Sequence, residues 1–435
     1  FKLAATNKKV NKFVQDYPQI IEDIRGLMGQ PRSASVHASA IIVTPSSKDG
    51  EDMECFDYTP IKKVDDILVS ELDGYSIDET GLLKNDCLGI KELTKIQSVI
   101  EECNRVYKAG ITFEGLVRSG LDDEKTYRIL SKGFTQNVFQ FSSAGMTKFL
   151  MDMKPDCIND LIAANALYRP ATLESGSTQK YLDCKKGNVA PVYLWGTYNS
   201  LNTTYGVLVY QEQLAQMARE VGGFSLEDGV KLVKLISKKK VDKIHDMKDK
   251  FMEGAKAKEC PKEDSEEIWK MIEAGGGYLF NSSHATAYAI TSYVGAWLKA
   301  NYPTAFYTIA LQWADDKELP LIMSEMEECS SAKVVPPDIN LSGEKFFTDY
   351  QSNEIFWSLG KIKMLGTKAV QYIINERTKG GPFKSVENFV HRVFKYKLKR
   401  YEYWDDADNE QETIRVPVNA RHVKNLILAG CFDKA

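Results

Sequence analysis

Nowhere in its 435 residues does the chain hold a run of about 20 apolar residues, the length a helix needs to cross a bilayer. That argues against a membrane-spanning role. The opening stretch FKLAATNKKVNKFV lacks the apolar core of a secretory signal, and it starts on Phe1 and not on Met. The chain therefore reads as a cut or processed product. Its eight cysteines (Cys55, Cys87, Cys103, Cys157, Cys184, Cys260, Cys329, Cys431) are scattered singly. With no CxxC or HxxxC spacing, a structural zinc site is not expected. Reduced thiols of a cytosolic protein are the plain reading. A repeat of 20–50 residues is also missing, which excludes a solenoid. An excess of positive charge is missing too: the net charge is −4. The average hides a segregation, because Lys231, Lys234, Lys238, Lys239, Lys240, Lys243, Lys248 and Lys250 fall in one stretch. Acidic residues gather elsewhere, at 405–412 and 261–267. A polyanion would meet the basic part.

A chain of this size divides into two to four domains. Residues 10–29 carry helix-spaced apolar positions and stop at Gly29-Gln30-Pro31. From residue 36 the runs SAIIVTP, MECFDYTPI, DILVSEL and TGLLKNDCLGI read as short strands. From about residue 88 the pattern turns helical and stays so. The Pro-rich SAKVVPPDINLSG marks a boundary before a glycine-punctuated pair of helical segments. The expected class is α+β, mostly α: a small sheet, a large helical domain, and a final helical unit.

Six features carry chemistry. In LLKNDCLGI, Lys84 and Asp86 are two apart and would share one strand face, where a cation and a metal-binding carboxylate suit phosphoryl transfer. A lone K-x-D is more often a surface ion pair. In PRSASVHASAIIV, Arg32, Ser35 and His37 precede a strand, and His37 reads as structural. Arg169, fixed by Pro170, is an anion clamp or a helix cap. VKLVKLISKKK puts Lys231, Lys234 and Lys238 on one helical face, with Val230, Val233 and Ile236 on another. GGGYLFNSSHATAYAITSYVGAW sets Tyr278, Phe280, Asn281, Ser283, His284 and Tyr288 where rings can stack on bases; Tyr293 and Trp297 fit core packing. In LGKIKMLGTKAVQYI, a turn at Leu365-Gly366 exposes the N-terminus of a helix to phosphate, ringed by Lys361, Lys363 and Lys368.

Taken in order, RSASVHA, LLKNDCLGI, VFQ, ALYRPATLESG, YGVLVYQEQ, SKKK, FNSSHATAYAITSYVGAWLKANYP, VVPPDIN and GGPFKSVENF resemble one family, the C-family replicative polymerases typified by the alpha subunit of bacterial DNA polymerase III. The resemblance is collinear over nearly the whole chain. It implies a thumb remnant at 1–35, the end of the palm at 36–95, fingers at 96–345 and a helix-hairpin-helix region at 346–435. It implies DNA-directed DNA polymerisation with two Mg²⁺ ions, Asp86 being the catalytic, metal-binding carboxylate. Lys84, Arg169, Lys234, Lys238, His284 and Tyr288 would bind the nucleotide. Lys239, Lys240, Lys361, Lys363, Gly366 and Lys368 would bind DNA. Partners would be primer-template DNA, dNTPs, the remaining N-terminal part of the polymerase, and a sliding clamp reached through regions this sequence does not contain.

The chain also departs from the pattern. Val233-Lys234 stands where the family has Arg-Arg, RPATL replaces RPGPL, and 187–205 diverges, so a distant, phage-type member is expected. The family's P-D-x-D-x-D-F strand with the first two palm aspartates is not found. The alternative is therefore a non-catalytic fragment that binds DNA or dNTP, or one half of a split polymerase. A metal-dependent nuclease is the weaker third reading.

Overall fold

The computed structural model describes residues 7–30, 33, 35–45, 54–237, 241–402 and 417–434. The chain divides between Ile90 and Lys91 into two units. The first opens with two helices where the apolar spacing suggested one, α1 (Lys8–Asp16) and α2 (Pro18–Leu27). Pro18 is the cause. It has no N–H to give and its ring clashes with the turn before it, so it takes the first position of a new helix. Strand β1 (Ala40–Val43) pairs antiparallel with β4 (Leu83–Asp86), and β2 (Ile61–Val64) forms a hairpin with β3 (Ile67–Ser70). Asp65 and Asp66 make the two-residue turn, both at positive φ as such turns require. MECFDYTPI, read as a strand, instead holds a 3₁₀ turn at Cys55–Asp57. A short helix not anticipated, α3 (Gly74–Glu79), precedes β4; Asp73 accepts the N–H of Ser76 and starts it.

The β1–β4 register fixes what each face carries. Ile42 stands opposite Lys84 and Ala40 opposite Asp86, so the lysine and the carboxylate share one face. Ile41, Val43 and Leu83 point to the other face and remain exposed.

The second unit is almost wholly helical. α4 (Lys91–Tyr107), α5 (Phe113–Arg118), α6 (Glu124–Ser131), α7 (Ala144–Met153), α8 (Ile158–Leu167), α9 (Pro170–Glu174) and α10 (Ser177–Lys185) come first. Next is a bundle of α11 (Tyr198–Leu201), α12 (Gln211–Glu220), α13 (Leu226–Ser237), α14 (Val241–Ala257) and α15 (Lys262–Gly275). The twenty-residue α16 (Ser282–Asn301) is the organising element, packed on α4, α6, α8 and α17 (Pro303–Trp313). Small residues make that possible. Ala285, Ala289 and Ala296 are fully buried, as are Ala164 and Ala166 of α8, in a core shared with Tyr127, Phe149, Leu150 and Tyr293.

After α18 (Leu319–Cys329), β5 (Lys333–Val335) runs parallel to β7 (Glu354–Phe356), and β6 (Phe347–Asp349) runs antiparallel to β7. α19 (Thr367–Gly380), α20 (Val386–Glu402) and α21 (Ala420–Leu428) then enclose a separate core of Leu359, Ile373, Phe383, Phe389 and Leu426. In the bundle, one glycine sets how closely a helix meets the turn after α12. A Cβ on Gly254 of α14 would lie 1.8 Å from the carbonyl oxygen of Gly222, so only glycine lets the backbones approach.

Candidate functional site

In the first unit, alternation along β4 puts Lys84 and Asp86 side by side, and they bond: Lys84 Nζ lies 2.9 and 2.8 Å from the two carboxylate oxygens. His37 joins them, its Nε2 3.8 Å from Asp86 Oδ1. The Nδ1 of His37 accepts the backbone N–H of Ala40 at 2.9 Å and of Ser39 at 3.2 Å. Its neutral ring therefore carries the proton on Nε2, the nitrogen facing Asp86. The hydrogen bond from Lys84 holds the Asp86 pKa below the usual carboxylate range, so Asp86 is an anion at neutral pH. The basic groups beside Asp86 are Lys84 and His37; no second carboxylate acts on it among the described residues. Asp86 offers a divalent ion one ligand, and two-ion catalysis needs more.

In the second unit, three separated segments meet on one face. Arg169 begins α9, and its Nε donates to Ala166 O at 2.8 Å while Nη2 donates to Tyr278 O at 2.6 Å. The guanidinium stacks 4.5 Å above the Phe280 ring. From Phe280 the rings continue: to His284 at 5.4 Å, to Tyr288 at 4.1 Å, and to Phe139 at 4.9 Å. His284 and Tyr288 are one helical turn apart on α16. The result is a ladder of one cation and four rings, with His284 exposed and Arg169, Phe280, Tyr288 and Phe139 half-buried. Burial lowers the pKa of Arg169 from a value so high that it stays a cation.

The N-terminus of α16 is held from α12. Asn281 caps the N–H of His284 at 2.8 Å. Glu212 accepts from Asn281 Nδ2 at 3.0 Å and from the N–H of Ser282 at 2.9 Å. Gln213 accepts the N–H groups of Val209 and Tyr210 and donates to Ser200 O and Thr204 Oγ1. The far rung is fixed from the other end of α16. Buried Lys299 donates to Phe134 O at 3.2 Å, Gln136 O at 2.5 Å and Glu325 Oε1 at 2.5 Å. Glu325 also accepts from Tyr307 OH and from the N–H of Gln136. This buried pair ties down the loop that ends in Phe139.

Near the C-terminal part, a 3₁₀ turn at Leu359–Lys361 leads through a tight bend into α19. The residue at positive φ is Met364, at 66°. Gly366 sits at φ −75°, and a Cβ there would meet nothing within 4 Å. Neither backbone conformation nor internal packing requires that glycine. Its openness leaves the first N–H groups of a fourteen-residue helix approachable. Lys363 and Lys368 are exposed beside it. Lys361 is turned inward, its Nζ donating to Ala314 O at 2.7 Å, at the end of α17.

Residues 92–259 match the family model described as the bacterial DNA polymerase III alpha subunit finger domain. Residues 2–89 match that of the bacterial DNA polymerase III alpha NTPase domain, and 331–403 a helix-hairpin-helix motif. The DNA polymerase III subunit alpha of Aquifex aeolicus is 33% identical over 98% of this chain. Those of Pasteurella multocida and Escherichia coli are 32% and 31% identical over 97% of it. The chain belongs to the DNA polymerase III alpha family. It spans about a third of the length of these relatives: 34%, 35% and 35%.

Against the other residues expected to face substrate, the fingers segment is mixed. Lys231 and Lys234 are exposed on α13, whereas Lys238, Lys239 and Lys240 lie outside the described residues, as does Arg32. The buried side of α13 is Leu232, Leu235 and Ile236; Val230, placed in the apolar line by spacing, is 44% exposed. The wider α-helical stripe centred on the leucines explains the shift. Sequence reasoning missed Phe139, Glu212 and Lys299. VFQ, YQEQ and WLKA were visible as motifs, but the 70-residue gap from Glu212 to Ser282 hides a cap that only the tertiary fold closes.

Proposed function

We propose that this chain is the nucleotide- and DNA-binding portion of a DNA-directed DNA polymerase, adding dNMP units to a primer 3′-OH. The observation that carries the reading is the ladder of Arg169, Phe280, His284, Tyr288 and Phe139, assembled from three family motifs onto one face of the fingers segment. An exposed histidine and a half-buried tyrosine, backed by a packed arginine, form a platform for a base or nucleotide. Arg169 acts from a fixed position, since two of its nitrogens are anchored on backbone carbonyls. Lys234 adds charge from α13, and Lys238 belongs to the same basic run.

In the palm segment, Asp86 supplies one ligand to a divalent ion, Mg²⁺ being the expected metal. Lys84, which bonds both oxygens of Asp86 here, would turn to the triphosphate when an ion takes its place. The remaining carboxylates of a two-ion site would come from outside the described residues. Behind the fingers, Gly366, Lys363 and Lys368 would hold the backbone of duplex DNA without reading its sequence, with Lys239 and Lys240 adding charge. Lys361, spent on Ala314 O, would set the bend rather than meet phosphate.

The test is dNTP binding by equilibrium titration. Tyr288→Ala is expected to weaken binding by about 1–3 kcal/mol, the range for loss of a stacking ring, and Tyr288→Phe to keep it. Equal affinity in Tyr288→Ala and the parent chain would remove the ladder from the nucleotide site.

A further inference from the structure

Phe280 and His284 are four apart in sequence, yet helical spacing does not account for their contact. Phe280 precedes the N-cap Asn281, and His284 is the third residue of α16. Their ring contact at 5.4 Å therefore spans the cap, and the backbone at 281–283 sets it.

The two sides of that junction are held differently. Main chain fixes Phe280: its N–H donates to Val209 O at 3.1 Å, and its carbonyl accepts the N–H of Gln211 at 2.9 Å. The His284 side depends on side chains. The first N–H groups of a helix have no partner within it; here that of Ser282 goes to Glu212 and that of His284 to Asn281. Glu212 also decides how Asn281 caps, because by accepting from Nδ2 it turns Oδ1 toward His284. One carboxylate thus holds the helix start both directly and through its cap. It is delivered from a fixed base, since the next residue, Gln213, is 5% exposed and bonded at both ends of its amide. Glu212 itself is exposed, so truncating it opens no cavity.

We propose that Glu212 is a positioning residue for the nucleotide platform, a role that rests on the ladder being where the nucleotide binds. From α12 it fixes the start of α16, and so the place of the His284 ring between Phe280 and Tyr288. It acts through His284 and not on the nucleotide. Without it the first turn of α16 frays, and a nucleotide must restore that order as it binds.

The test is a double-mutant cycle on the whole chain, read by equilibrium titration with dATP. Glu212→Ala is expected to weaken binding about tenfold, roughly what the helix start loses in hydrogen bonds. On a His284→Ala background the same substitution is expected to cost under about threefold, because the ring it places is gone. A role in stability alone would lower the unfolding temperature and leave the two losses equal. Glu212→Gln keeps the side-chain length and one acceptor, and carries the same cycle, with a smaller loss, where the alanine variant does not fold. Equal losses on the two backgrounds would overturn the proposal. So would unchanged affinity in Glu212→Ala while Tyr288→Ala still weakens binding. Unchanged affinity in both single variants would overturn the ladder reading and this role with it.

Discussion

Replacing Lys299 by methionine tests whether the buried ion pair holds the end of the ladder. Lys299 is 2% exposed, and its ammonium joins Glu325 and the carbonyls of Phe134 and Gln136. Burial works against the charge, pulling the lysine pKa below its ordinary value, while Glu325 opposes that pull. Methionine fills similar volume but leaves Glu325 buried with only neutral donors, Tyr307 OH and the Gln136 N–H. Breaking one side of a buried pair costs about 3–5 kcal/mol. Glu325→Gln alone should cost about 1–3 kcal/mol, because the amide keeps an acceptor but weakens three contacts. In the double variant the uncompensated charge is gone, so its cost should fall short of the sum by about 1–3 kcal/mol. Hydrogen exchange of the α16 and α18 amides reads this locally, which matters because a chain of two units need not unfold in one step. The methionine variant should also lose dNTP affinity, since the Phe134–Gln136 loop leads into Phe139. Strict additivity of the two changes, or a cost below about 1 kcal/mol for Lys299→Met, would refute the reasoning.

Met364→Gly should raise stability by up to about 1 kcal/mol in urea unfolding, because Met364 holds a left-handed backbone at φ 66° and its side chain is mostly exposed; a loss of stability would contradict this. In carboxyl NMR titration, Asp86 should titrate below its ordinary 3.8, and Lys84→Ala should move it up. Because the folded pKa is the lower one, the stabilisation Asp86 gains from Lys84 is present above 3.8 and is lost as pH falls through the folded value. Gly366→Val should keep the fold, having open space for its side chain, yet weaken duplex DNA binding about tenfold by blocking the helix N-terminus. Unchanged affinity in that variant would take the hairpin out of the DNA-binding surface.

Much of this was legible in the sequence because local rules and tertiary outcome agree. Alternation placed Lys84 and Asp86 on one face of a strand, and β4 pairs with β1 in the register that keeps them there. SHATAYAITSYVGA lies in the part of the sequence read as helical, and it forms most of α16. Failures came where a single residue overrode a period, as Pro18 did in splitting one expected helix into α1 and α2. They came also where function depends on distant segments. Arg169 was open between clamp and cap; it caps the end of α8 through Ala166 O and stacks on Phe280, more than a hundred residues away. Tyr293, left to core packing, is 2% exposed and packs against Tyr127. Lys361 read as one of the lysines around the turn that would bind DNA, and only the position of Ala314 shows its charge turned inward.

Primer extension by this chain alone, on a primed template with Mg²⁺ and dNTPs, tests the central claim most directly when salt-dependent binding of the same DNA is measured beside it. With Asp86 as the one carboxylate of its site among the described residues, the account expects primed DNA to be bound, more weakly as salt rises, with the primer length unchanged. A lengthened primer that disappears in Asp86→Ala would contradict it, showing that the chain assembles a complete metal site by itself.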